Sequence, residues 1–284
     1  MTASLRLSLL AIVGYFLAAA APSQERPGPP PTPRIYIFDA GAITGLDPQL
    51  FNFARDELAE VDFVNAAYLI VHPRGTLMFD AGGIPDSAFE DDGRPVQEGV
   101  LSASRPLKPQ LAAIGYTPDD IDYFALSHYH SDHTANANDF ARATWIVQKA
   151  ERDYMFAENP QGIIRPETYN LLRDAETILL DNEELDVFGD GTVVVIPTPG
   201  HTPGHQVVAV RLANYGPVVL GGDLYHYPEE RTTGRVPTFE FDPDASRASR
   251  EKIEQYLRET GATLWIEHDI ATHAELPRAP QYVD

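Results

Sequence analysis

The 284-residue chain contains no cysteine. Disulfides and thiolate chemistry are therefore excluded, and any metal centre has to use nitrogen and oxygen donors. Basic residues are scarce: 21 Lys and Arg stand against 42 Asp and Glu, a formal net charge of -21. Such a surface repels phosphate backbones, which argues against a nucleic-acid partner and favours neutral or cationic substrates. Internal repeats and long charge blocks are missing too, so a solenoid is not expected. Hydrophobic residues make up 43% of the chain, enough for a sizeable core.

The start of the chain is apolar. Arg6 precedes an apolar stretch at 7–17 and a run of small residues at 18–21. This is the layout of a signal peptide at 1–21, with Ala18 and Ala20 setting cleavage near Ala20. The stretch is shorter than the ~20 residues of a bilayer span. No stable membrane span is expected after cleavage, and without cysteine no lipoprotein anchor forms. The sequence thus predicts export, periplasmic or secreted. Residues 22–33, containing PGPPPTP, read as an extended Pro-rich linker. Residues 34–284 read as one domain.

Strands are predicted at 34–38, 65–72, 76–79, 123–126, 144–148, 192–196, 206–211, 218–220 and 263–266, where apolar and β-branched residues concentrate. Pro73, Arg74 and Gly75 make a hairpin of the second and third. Helices are predicted at 108–114, 149–156, 166–173 and 244–260, the last ended by Gly261. Hairpins in some places and strand–helix alternation in others point to an α+β class, with sheets covered by helices. The apolar segments 51–63 and 155–164 could line a pocket, although a core role is the default.

Chemistry concentrates at strand ends. The string HYHSDH, residues 128–133, follows the strand YFAL. His128 and His130 are two apart and point to one side of an extended segment, while Asp132 and His133 can face a second centre. Imidazole beside carboxylate suits zinc. TPGHTPGH follows TVVVI and holds His201 at its apex, with His205 reading as a supporting residue. Gly221 and Gly222 lead into Asp223 and remove side-chain bulk beside it. His268, in EHD after TLWI, gains weight only from this company.

Taken in order, FDAG, HYHSDH, TPGHTPGH, GGD and EHD resemble the metallo-β-lactamase superfamily over nearly all of 34–284. The resemblance implies an αββα sandwich. It implies one zinc on His128, His130 and His201, another on Asp132, His133 and His268, and Asp223 bridging the two. Asp80 would orient the cluster loop. His130, where a redox relative would carry glutamate, favours hydrolysis. Two divalent metal ions, zinc first, would share a water of lowered pKa that attacks an electrophilic centre.

Within the superfamily, TPGHTPGHQ, GGDLYHYPE, TFEFDP and EHDI resemble the quorum-quenching N-acyl homoserine lactonases. Those open the ester of a lactone, and related lactonases are often dimers, so a homodimer is implied. One departure stands out: where the family places a tyrosine after the bridging aspartate, this chain has His226 between Tyr225 and Tyr227. The candidate catalytic residues are therefore Asp132, Asp223, His226 and Tyr225, and the expected substrate is a small neutral ester or lactone. Alternatives are an organophosphate triesterase or another carboxylesterase of the same fold. From a different class, a non-catalytic metal-binding protein stays open.

Overall fold

The protein is described here by a computed structural model covering residues 26–90, 94–160 and 162–284. The expected signal peptide lies outside the described residues. Strands β1 (Arg34–Ile43), β2 (Phe63–His72), β3 (Gly75–Phe79), β4 (Val96–Glu98), β5 (Leu101–Ala103), β6 (Tyr123–Ala125), β7 (Thr144–Gln148) and β8 (Thr177–Leu180) form one sheet, ordered β4-β5-β1-β2-β3-β6-β7-β8. Strands β9 (Leu185–Asp186), β10 (Val193–Pro197), β11 (Gln206–Arg211), β12 (Pro217–Leu220) and β13 (Thr263–Trp265) form a second, ordered β13-β12-β11-β10-β9. Helices are α1 (Leu107–Ala113), α2 (Ser131–Thr134), α3 (Lys149–Met155), α4 (Pro228–Thr233), α5 (Pro243–Thr260) and α6 (Ile270–Glu275).

Alternation along the strands builds the layers. On β10, Val193 and Val195 face the first sheet, where they meet Ile35, Ile37, Tyr68, Ile70 and Phe79. Ile196, with Val207 and Ala209 of β11, faces the other way, onto Ile253 and Leu257 of α5. The outer face of the first sheet buries Phe38, Leu69, Met78 and Trp145 against Leu107 and Leu111 of α1 and Met155 of α3. Two strand faces, each covered by helix, make the αββα sandwich.

Helix α5 shows why the sequence pattern was readable. Asp242 caps it by accepting from Asp244 N and Ala245 N, Pro243 opens it, and Gly261 closes it at φ 71°. Its buried face is Ser246, Ser249, Arg250, Ile253 and Leu257, one stripe of a 3.6-residue period. Residues 166–173 differ from the expected helix: they form two 3-10 turns, Pro166–Thr168 and Asn170–Asp174. The linker differs in part as well. Pro30 and Pro33 are buried, and Arg26 pairs with Asp120 at 3.4 Å and lies over the Tyr116 ring. The described part of 22–33 is thus seated on the domain by apolar and ionic contact.

The first sheet pairs β3, β6 and β7 in parallel, and the second pairs β12 and β13 in parallel, with β10 running the same way through two antiparallel steps. The ends of β3, β6, β10, β12 and β13 lead into Asp80, 128–133, His201, Asp223 and His268. This shared exit brings distant sequence to one place.

Candidate metal centre

Seven side chains converge there, all buried: His128, His130, Asp132, His133, His201, Asp223 and His268. They form two groups. In the first, His128 Nε2 lies 2.9 Å from His130 Nδ1, and His201 Nε2 lies 3.2 Å and 3.0 Å from those two nitrogens. In the second, His133 Nε2 and His268 Nε2 lie 3.4 Å and 3.7 Å from Asp132 Oδ2. Asp223 belongs to both. Its Oδ2 faces His128 and His201 at 3.7 Å and 3.4 Å, and its Oδ1 faces His133 and His268 at 3.2 Å and 3.0 Å.

In four of the five rings the outer side explains what the inner side offers; His130 is the exception and turns its Nδ1 inward. His128 Nδ1 meets Ser127 Oγ, His133 Nδ1 meets Asp80, His201 Nδ1 meets Glu240, and His268 Nδ1 meets the Val64 carbonyl. With an acceptor at each Nδ1, the ring proton belongs there and the Nε2 lone pair points inward. His133 Nε2 and Asp223 Oδ1 have no hydrogen-bond partner. Imidazole nitrogens and carboxylate oxygens crowd together, which is the donor set a cation requires. The residues fit a pair of divalent metals.

The electrostatics separate the two groups. Burial opposes charge on His133, but Glu267, Asp223, Asp132 and Asp80 outweigh it and push that ring well above the imidazole range, so without a cation it holds a proton that a metal would displace. Burial holds His128 well below the imidazole range and His130 down at about 3, with His133 and His201 respectively adding repulsion. These rings stay neutral, as metal ligands must. Burial also opposes charge on Asp223, but the surrounding histidines outweigh it and hold the carboxylate well below its usual range. Burial pushes Glu267 well above that range; His133 opposes this, and Asp80 and Asp223 add to it.

The supporting residues are equally specific. Asp80 Oδ1 accepts from Ser127 N at 2.6 Å, which fixes the start of the cluster loop. His205 Nδ1 meets Thr198 Oγ1 and its Nε2 accepts from Asp223 N, so His205 holds the aspartate without joining a donor group. Gly222 sits at φ 46°, and a Cβ there would lie 2.6 Å from Ser127 Cβ and 2.9 Å from His205 Nε2. Its glycine is required by the seat against these residues.

Tyr225 is a correction. Its hydroxyl donates to Glu254, its ring lies under Arg250, and it packs among Ile253 and Leu257 beneath α5. The chain alternates there, so Tyr225 turns outward and His226 inward. Tyr227 also spends its hydroxyl elsewhere, on the Val61 carbonyl. His226 alone faces the centre, with Nε2 3.2 Å from Asp223 Oδ2 and Nδ1 3.6 Å from Glu230, itself paired with Arg250.

Four functional carboxylates escaped the sequence reading: Glu151, Glu230, Glu240 and Glu267. Two had a signal, since Glu267 stands in EHD and Glu240 in TFEFDP. Glu151 had none, because a glutamate in a first helical turn is ordinary.

Above the two groups opens a cavity of about 300 Å³, with a wall that includes Phe51, Phe63, Leu101, Phe239 and, at its lip, Leu50 and Ile163. His130, Asp132, Asp223, His226 and His268 form its polar floor. The segments 51–63 and 155–164 divide their roles: Phe51, Phe63 and Ile163 reach the cavity, whereas Met155 is buried in the core.

The chain belongs to the metallo-β-lactamase superfamily, whose family model, described as Metallo-beta-lactamase superfamily, matches residues 61–264. Among its members it is similar to the N-acyl homoserine lactonase AttM of Agrobacterium fabrum (strain C58), 31% identical over 229 residues, 76% of this chain and 85% of the relative. AttM of Azorhizobium caulinodans is 30% identical over 262 residues, covering 88% and 98%. A solved N-acyl homoserine lactone hydrolase, with the product N-hexanoyl-L-homoserine at its catalytic metal centre, superposes with a TM-score of 0.71 at 23% identity over 88% of this chain and 98% of that one. At that identity the likeness speaks for the fold.

Proposed function

We propose that the chain is a dinuclear-metal hydrolase that opens the ester bond of lactones, with N-acyl homoserine lactones as its substrate class. The observation that carries this reading is the two-oxygen reach of Asp223, which joins both donor groups at the floor of an apolar cavity. His128, His130 and His201 would hold one cation and Asp132, His133 and His268 the other, with zinc the natural choice for imidazole-rich sites.

Bound there, the pair would supply Lewis acidity and lower the pKa of an attacking water. The chain supplies the rest. Asp223 fixes the two donor groups relative to one another. Phe51, Phe63 and Phe239 exclude bulk water and offer an uncharged surface to an acyl tail. His226 projects from the floor with its Nε2 3.2 Å from Asp223 Oδ2, where it would donate to an oxygen of an ester bound above the centre. The acidic surface suits a neutral substrate of this kind. The lactonase names of relatives that align over most of this chain support the same class.

The test is a parallel screen of the zinc-loaded chain. Short- and long-chain acyl homoserine lactones are set against a phosphotriester and a cephalosporin. Lactone turnover that is lost with chelator and restored by zinc is expected. Turnover of the phosphotriester alone, or of nothing, overturns the assignment. Export of the mature domain is proposed alongside; recovery of the chain only from the cytoplasmic fraction would refute it. Among the described residues, no helix is long and apolar enough to cross a membrane.

A further inference from the structure

Glu267 precedes His268 and is fully buried, yet no backbone N–H, hydroxyl, amide or guanidinium donates to its carboxylate oxygens, and the group beside it is another carboxylate, Asp80. The other buried glutamates are served. Glu151 accepts from Tyr129 N, Thr202 Oγ1 and Gly204 N, Glu230 pairs with Arg250, and Glu240 meets His201 and Ser246. Glu267 Oε1 does lie 3.3 Å from His133 Nδ1. That nitrogen already faces Asp80 Oδ2 at 3.2 Å and Ser127 Oγ at 3.3 Å. A buried carboxylate without a donor destabilises a fold and calls for an explanation.

Charge provides one. Asp80, Asp132, Asp223 and Glu267 all surround His133 within 3.4 Å. Even with His226 and His268 also facing Asp223, three imidazoles cannot neutralise four carboxylates, whereas two divalent cations match them. Glu267 stands behind the ring, on the side away from Asp132 and Asp223, so its charge acts through the imidazole.

We propose that Glu267 is a charge-compensating positioning residue for the cation held by Asp132, His133 and His268, carried at the expense of the metal-free chain's stability. The inference rests on the metal-centre reading above. A carboxylate behind a ligand ring makes its inner nitrogen a stronger donor. The same carboxylate is a burden when the centre is empty. The two effects therefore have opposite signs, which a purely structural residue would not produce.

The experiment measures zinc binding to the full chain by competition with a chromophoric chelator, beside thermal melting of the metal-free protein. Wild type should take up one equivalent per donor group. Glu267→Gln and the apolar Glu267→Met should weaken one equivalent by about 10- to 100-fold and leave the other within about twofold. Metal-free melting of both variants should equal or exceed that of wild type. Unchanged zinc affinity in both variants overturns the inference alone. So does an affinity loss matched by a lower metal-free melting temperature, or a further equivalent in wild type that the variants lack, since Glu267 would then be a direct ligand. A wild-type chain that takes up no zinc overturns the functional reading together with it.

Discussion

Asp223 Oδ1 and His133 Nε2 face each other at 3.2 Å in the closed interior, and neither has a hydrogen-bond partner. Only a cation reconciles them: without a metal it is a proton on His133, whose ring the surrounding carboxylates push well above the imidazole range against burial. Asp223→Asn replaces one oxygen by an NH2 group that can donate to an imidazole nitrogen. The variant should fold, bind less zinc and lose lactone turnover by about 100-fold or more. Metal content and turnover are measured on one preparation; full content with full activity contradicts the shared role of Asp223.

Glu151 gives a pH dependence. It is buried, and burial raises its carboxyl to about 7 despite the hydrogen bonds it accepts. Between its unfolded value of 4.5 and about 7, the native state holds a proton that the unfolded state has released. Stability from this group is therefore full below 4.5 and is lost as pH rises towards 7, by roughly 3 kcal/mol. Glu151→Gln removes the titration. The stability gap between wild type and variant should shrink from pH 5 to pH 8 in urea unfolding, and a widening gap would reverse the sign.

Gly222→Ala places a Cβ 2.6 Å from Ser127 Cβ at a positive φ. Overpacking and strain together should destabilise the fold by about 2–4 kcal/mol. Because Ser127 and His205 are the atoms displaced, zinc affinity should fall as well. Wild-type melting and wild-type zinc binding in this variant would show that the glycine is dispensable.

Ile163 is 60% exposed yet lines the lip of the cavity. Ile163→Asp should leave melting unchanged. It should raise KM for long-chain lactones about tenfold, through lost apolar contact, and leave short-chain lactones nearly unaffected. An equal effect on both chain lengths would remove Ile163 from tail recognition.

These expectations depend on contacts that the sequence revealed unevenly. Strands β10 and β11 were legible because both of their faces are apolar, and α5 because Asp242, Pro243 and Gly261 mark its ends. The seven convergent ligands were legible because histidine is rare in the chain and clusters at strand ends. Strands β4 and β5 were not, since each is three residues long with a single large apolar side chain, and they form only because β5 pairs with the edge of β1 and β4 with β5. Residues 166–173 carry helix-forming residues, but Tyr169 and Leu172 must be buried against α3 and β7, and short 3-10 turns place them there. Glu240 and Glu267 stand inside the strings TFEFDP and EHD, but their roles emerge only when the fold sets them behind His201 and His133.

The four strands that lead into ligands, β6, β10, β12 and β13, leave the sandwich at one end together with β3, so the opposite end carries the β11–β12 turn with Ala213 exposed in it. A single cysteine placed at Ala213 would be the chain's only thiol. Coupled through it to a bead or an electrode, every molecule would be tethered by its inert pole, with the cavity mouth turned to the flowing solution.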